Sequence, residues 1–436
     1  MLTRPVQQKN KFLSLKHIHS WQKLPLILLL ITVIAVIIAS IQLINFASHG
    51  KSDISVLLRT AALLKAGAGG ELYTEKDKAT NWPRCIPPAG MVFIQPLQSL
   101  GPTWAGIIWT LINLSLLTGA SVALYYFIEK LDYQKHIYQN LFPYALMILF
   151  LLAIGSIQVG QFSLLFLSCW IFYLYASSDN HSFWGGVSLS IPSAIKLYPL
   201  LMLAVPLFSG KRKAVSVISF FFIGILILVI ILPFAFYGTR TLDLSVSFVK
   251  HTLLSPEGMR SVYRRLTTGS LSNQGLDAVL LRYLTHSPEF HSKFSYVPHL
   301  NLTRQNVLLL ADIIRVVIIL ITSWVALRWF RHVKNKHIYS SMMMAALWSS
   351  ALYLIIPLTK SRYAVYTFIG FLPLLEMIEI ARIKRNWPKY VSLLCFMLLC
   401  FVLILLAIPD YLRAYGIGIL GALGLWAANV KLMSVK

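Results

Sequence analysis

Acidic side chains are scarce in this chain, with 15 Asp and Glu against 39 Lys and Arg in 436 residues. Cysteine is scarcer still. The four present (Cys85, Cys169, Cys395 and Cys400) show no metal-ligand spacing, and three lie in apolar runs, which argues against a disulfide framework and leaves Cys85 a lone thiol. No P-loop, dinucleotide fingerprint, zinc-type motif or nucleophile elbow occurs, so no sequence signal points to a metal or to another cofactor. Internal repeats and low-complexity tracts are also missing. Charge of either sign makes up only 12% of the residues while 57% are hydrophobic, and one soluble core of this length could not hide that much apolar surface.

What is present is a series of apolar runs of about 18–23 residues, the length that crosses a bilayer as a helix. Full spans are expected at 24–46, 104–128, 141–156, 160–177, 214–236, 307–330, 339–357, 363–380, 390–408 and 412–430. Two shorter pieces, 183–195 and 197–209, lie between the fourth and fifth of these. The fold class is therefore an all-α polytopic integral membrane protein of about twelve transmembrane or partly spanning helices. It forms a single transmembrane domain over 1–436. The first run is too long for the core of a signal peptide and is expected to remain as a helix.

Net charge of +24 does not imply a nucleic-acid partner. Lys and Arg gather in short loops, at 4–23, 211–213, 328–336 and 382–389, which is the bias of cytoplasmic loops. With this span order both termini lie in the cytoplasm and the loops 47–103 and 237–306 lie outside. The expected location is a bacterial plasma (inner) membrane, crossed many times. Loop 237–306 holds eight Lys and Arg against four acids, which suits an anionic ligand, phosphate above all. Contact with anionic membrane lipids is the other reading.

Five stretches carry candidate chemistry. Lys51-Ser-Asp53 sets a carboxylate at the membrane edge, where it is costly without a partner or a task. Lys196 sits between two pieces each too short to span hydrocarbon, interrupted by Gly185-Gly186, Pro192 and Pro199. Broken helices persist in a membrane where they line a cavity or pack into protein, so Lys196 is read as a phosphate ligand, with a snorkelling lysine as the alternative. Gly155–Gln161 is a tight link whose Gln158 and Gln161 suit sugar hydroxyls or a plain turn. In loop 237–306, Asn273, Gln274 and Arg282 suit a polar ligand, although Ser-Asn-Gln-Gly is equally turn and capping chemistry. Lys360 and Arg362 put two cations in a short outer loop, against the charge bias. Asp312 and Arg315, three apart on one helix, are read as a structural pair.

In their order these elements resemble glycosyltransferase family 87 of the GT-C superfamily, which includes mycobacterial polyprenol-phosphate-mannose-dependent α-mannosyltransferases. The likeness rests on the acid of Lys51-Ser-Asp53, the Gly69–Tyr73 element, Phe93–Pro96, Gly160-Gln161, Lys196-Leu-Tyr-Pro199, and Ser272-Asn-Gln274 upstream of Arg282. The resemblance implies a GT-C-like fold and transfer of a hexose, mannose first, from a polyprenyl-phosphate donor to a lipid or glycan acceptor on the outer face. Asp53 would be the general base, with inversion at the anomeric carbon. Cations such as Lys196, Arg264, Arg265 and Lys360 would stabilise the leaving phosphate. The family's Trp/His-containing stretch before the third-last helix is replaced here by Thr359-Lys-Ser-Arg-Tyr363, a departure that bears on the donor sugar or the acceptor. His251 and His299, in the long loop, could serve in place of the family's histidine. A polymerase or ligase of lipid-linked glycans, and a transporter or flippase of lipid-linked sugars, are the competing readings.

Overall fold

A computed structural model describes residues 15–75, 77–80, 84–131, 135–208, 211–254, 273–286, 288–332, 337–356, 361–405 and 410–434. No strand occurs among them. Nine of their helical stretches are long and apolar enough to cross a membrane, and Ser163–Ser178 and Tyr198–Leu207 are shorter apolar segments. The chain is an all-α, multi-pass integral membrane protein. None of the four cysteines is disulfide-bonded.

Two helices form the centre, His337–Ile355 and the span that enters through a 3-10 turn at Ser361–Thr367 and continues as Phe368–Ile383. In their apolar windows 83% and 89% of residues are buried, against 17% in Ala214–Tyr237 and 22% in Trp387–Leu405. The outer helices therefore turn side chains such as Val215, Phe222, Ile230 and Phe234 to the surroundings. Such surface is unfavourable in water and matched by acyl chains. Helices draw close where a side chain is missing. At Gly186, on Ser182–Ile195, a Cβ would stand 2.5 Å from the Val217 carbonyl oxygen of Lys211–Leu226. Small residues serve membrane packing in this way.

The expected ends differ from the observed ones where local chemistry intervenes. The run 214–236 is not one regular helix but widens into a π segment at Ile227–Ile231 before Leu232–Tyr237. Pro233 has no N–H to donate to a carbonyl four residues earlier, so the ladder shifts there. The described parts of the two long loops hold helices, with Asp53–Lys65, Pro88–Val92, Arg240–Phe248 and Leu276–Leu284 among their elements. They also dock on each other. The Gly70 amide donates to Asp243 Oδ2 (2.8 Å), Ser247 Oγ donates to the Gly70 carbonyl, and the Tyr73 ring meets Phe248 edge-on at 5.3 Å. A Cβ at Gly70 would collide with Ser247, at 2.9 Å, so this joint needs glycine.

Candidate active site

The first long helix, Leu15–Ser48, ends in a turn at Gly50, which takes a left-handed φ of 67°. Ser52 then caps Asp53–Lys65, its Oγ accepting from the Ser55 amide at 3.2 Å. Asp53 is thereby fixed in the first turn of that helix, the end where unpaired N–H groups favour negative charge. Its neighbours Ser52, Ile54 and Ser55 are buried, so the backbone around it is held from three sides.

Arg362 Nη1 approaches Asp53 Oδ2 at 2.8 Å, and the two side chains are 11% and 14% exposed. Arg362 reaches this position because the turn at Ser361–Thr367 packs against Lys135–Val159 at Gly155. A Cβ there would stand only 3.4 Å from Arg362 Cα. Among the described residues no hydrogen bond reaches Asp53 Oδ1, and the Arg362 Nε is buried without a partner. The pair therefore retains one acceptor and one donor for something else.

The next residue along the chain carries the site to Lys196. Lys196 ends Ser182–Ile195 with an extended backbone (φ −147°, ψ 151°), and Pro199 follows in a 3-10 turn at Tyr198–Leu203. The helix breaks where the Gly and Pro pattern implies. Lys196 Nζ donates to Tyr363 Oη at 3.3 Å and lies 5.0 Å from the centre of that ring. Among the described residues no carboxylate pairs with it. Tyr363 stacks on Tyr366 at 5.6 Å. The Tyr366 hydroxyl bonds the Tyr198 hydroxyl at 2.6 Å and donates to Ser163 Oγ at 3.0 Å. This tyrosine ladder fixes both the lysine and the turn that bears Arg362.

Gln161 enters from another direction. Gly160, with φ 71°, packs on Ile54, the residue after Asp53, where a Cβ would stand 3.2 Å from the Ile54 side chain. Gln161, partly exposed, thus sits one residue from this contact, its backbone N–H donating to the Ser156 carbonyl at 3.1 Å. The structure brings Asp53, Arg362 and Lys196 into one chain of contacts and Gln161 beside it.

Asn273, Gln274 and Arg282 are engaged in holding their own loop. Asn273 Oδ1 accepts from the Gly275 amide at 2.9 Å, and Gln274 Nε2 donates to the Arg413 carbonyl at 3.1 Å. Arg282, buried, donates through Nη1 to that same carbonyl at 2.6 Å and through Nη2 to the Asn273 carbonyl. Burial lowers its guanidinium to about 10, so it keeps its charge at neutral pH. Arg264, Arg265 and Lys360 lie outside the described residues. Arg315 pairs with Asp312 at 2.8 Å as the three-residue spacing implies, and also holds Asp277 at 2.5 Å.

Residues 86–357, more than half the chain, match the model of glycosyltransferase family 87. The chain belongs to that family. It is a membrane-embedded glycosyltransferase. Comparison with curated proteins finds no match. The family 87 match begins after Asp53 and ends before Arg362, so this ion pair is contributed by flanks of the matched region. The departure at Thr359–Tyr363 is likewise the stretch that delivers the partner of Asp53. Sequence reasoning missed Tyr363, Tyr366, Tyr198 and Ser163 as members of the site. The three-residue spacing of Tyr363 and Tyr366 on one turn was the available signal.

Proposed function

We propose that this family 87 enzyme transfers a hexose, mannose first, from a polyprenyl-phosphate donor to a hydroxyl of a lipid or glycan acceptor on the extracytoplasmic face. The observation that carries the reading is the Asp53–Arg362 pair standing in continuous contact with the Lys196–Tyr363 pair. A carboxylate beside two cations suits a reaction that takes a proton from a neutral nucleophile and releases a phosphate monoester.

Asp53 accepts the acceptor's hydroxyl proton as its oxygen attacks the anomeric carbon. The bond from that carbon to the phosphate oxygen breaks on the opposite face, its electron pair leaves with polyprenyl phosphate, and configuration inverts. Lys196 and Arg362 stabilise the charge that gathers on the departing phosphate. Arg362 also orients the carboxylate through Oδ2, leaving Oδ1 for the incoming hydroxyl. Gln161 supplies an amide for sugar hydroxyls.

The test is transfer of label from radiolabelled polyprenyl-phosphate-mannose to membrane lipids by the purified protein. Transfer by wild type and none by Asp53→Asn supports the reading. Transfer by both overturns the assignment of the base. Failure of wild type with both mannose and glucose donors overturns the donor class.

A further inference from the structure

The chain holds 11 histidines, and three of them, His286, His291 and His299, converge in the segment between Leu276–Leu284 and Arg304–His332. One ring nitrogen from each lies within 4.8 Å of the other two. His286 Nδ1 and His299 Nε2 are 2.9 Å apart, and the His291 and His299 ring centres are 4.0 Å apart. His286 and His291 stack within 12° of parallel at 5.5 Å.

Several independent contacts hold the three rings together. The amides of Leu300 and Leu302 donate to the carbonyls of Tyr283 and Leu284 at 2.8 and 2.9 Å, laying His299 back beside the helix end that leads to His286. Phe290, Val297 and Ala414 form a small buried cluster under the loop, which seats His291. His291 is buried, and its Nε2 donates to the Arg282 carbonyl at 3.2 Å. A backbone carbonyl that fixes the tautomer of an imidazole is the usual support of a metal-binding histidine.

The geometry points to a divalent transition-metal site, of the zinc class, formed by His286, His291 and His299. A tetrahedral ion with metal–nitrogen distances of about 2.0–2.1 Å sets its ligand nitrogens roughly 3.3 Å apart. The separations here bracket that value, from 2.9 Å upward to at most 4.8 Å. Small rotations of the two exposed rings, His286 and His299, close the difference, and their exposure gives an ion its entry path. The ion takes the place of the proton that His286 and His299 now share, and water or an anion completes the fourth position. All-imidazole donors favour zinc, copper and nickel and disfavour magnesium and calcium. The bound ion would pin residues 299–302 to the helix bearing Arg282, and so stiffen the loop whose Asp277 anchors to Arg315. Nothing in this site depends on the proposed transfer reaction.

The experiment uses the full-length protein in detergent, purified without a polyhistidine tag, treated with chelator and then dialysed against zinc or magnesium. Metal content is read by mass spectrometry and thermal stability in parallel. Wild type is expected to retain about one equivalent of zinc, as a single three-histidine site would, and to gain several degrees in Tm from zinc but not from magnesium. In His286→Ala/His299→Ala, which leaves the buried His291 in place, both the retained zinc and the Tm gain are lost. A second check replaces zinc with cobalt, whose visible absorption should appear in wild type alone. Zinc retention equal in wild type and the double variant overturns the site. So does the absence of retained zinc in a monodisperse wild type.

Discussion

Asp53 and Asp277 both lie in the long loops and are each held by an arginine from elsewhere in the chain, yet the two arginines are partnered differently. At Asp277 one guanidinium serves two acids, and its Nε, like that of Arg362, is buried without a hydrogen bond among the described residues. Arg315 donates one Nη to Asp277 and the other to Asp312, and nearby Arg282 is committed to two backbone carbonyls. Burial pushes the Asp277 pKa up while Arg315 opposes it. At Asp53 one guanidinium meets one acid, and the next residue, Tyr363, carries the contact to Lys196 rather than to a second carboxylate. Two cations against one carboxylate leave a net positive charge, which suits an anionic ligand. On the proposed function, the cluster with balanced charge holds the fold and the cluster with excess positive charge meets the donor phosphate.

The largest effect that would break this contrast belongs to Asp53. If it is the base, Asp53→Asn keeps the size and loses the proton acceptor, and turnover should fall by about 10²–10⁴-fold with membrane insertion unchanged. Single-turnover kinetics with a labelled donor measure it. Retained turnover would make Asp53 a structural acid like Asp277.

Arg362 comes next. Arg362→Lys keeps a charge but loses the planar fork that orients a carboxylate and a phosphate together. Turnover should drop by about 10–100-fold, and Arg362→Ala should drop it further. Since the alanine variant leaves Asp53 without its cation, folding is followed by size-exclusion profile alongside activity. A drop in stability with normal turnover per folded molecule would move Arg362 into the structural class.

Lys196→Ala is expected to act on binding. Removing one charge from phosphate recognition should weaken donor affinity by about tenfold, read as a rise in KM with a smaller change in kcat. Lys196→Arg should recover part of it. Unchanged donor affinity would mean that the lysine serves only to cap the tyrosine ladder through Tyr363.

Much of the framework was legible in the sequence because hydropathy reports directly on what a bilayer accepts. Gly185-Gly186, Pro192 and Pro199 announced the break that exposes Lys196, and Asp312 and Arg315 announced their pairing by helical spacing. The pairing of Asp53 with Arg362 was not legible. Its partners come from nearly opposite ends of the chain, and what joins them is the close packing of Gly155 on the Arg362 backbone. Arg282 shows the converse difficulty. An arginine that grips backbone carbonyls and one that grips a phosphate have the same residue type and the same loop context, and only the positions of Asn273 and Arg413 reveal which carbonyls are near.

The smallest effect on chemistry should come from Asp277, and it tests the comparison from the other side. Asp277→Asn keeps the shape but removes the charge facing Arg315, which retains only the far more exposed Asp312. Leaving a buried guanidinium half-compensated should cost about 3 kcal/mol. Tm should therefore fall, while KM and kcat per folded molecule stay at wild-type values. Asp277→Asn together with Arg315→Met, which removes both buried charges, should regain part of the lost Tm, because the expense lies in the uncompensated ion rather than in the missing bond. The same double replacement at Asp53 and Arg362 should leave the protein folded and inactive. If the Asp277 variant instead loses turnover at full stability, the loop cluster touches substrate, and the division between a structural and a catalytic ion pair fails.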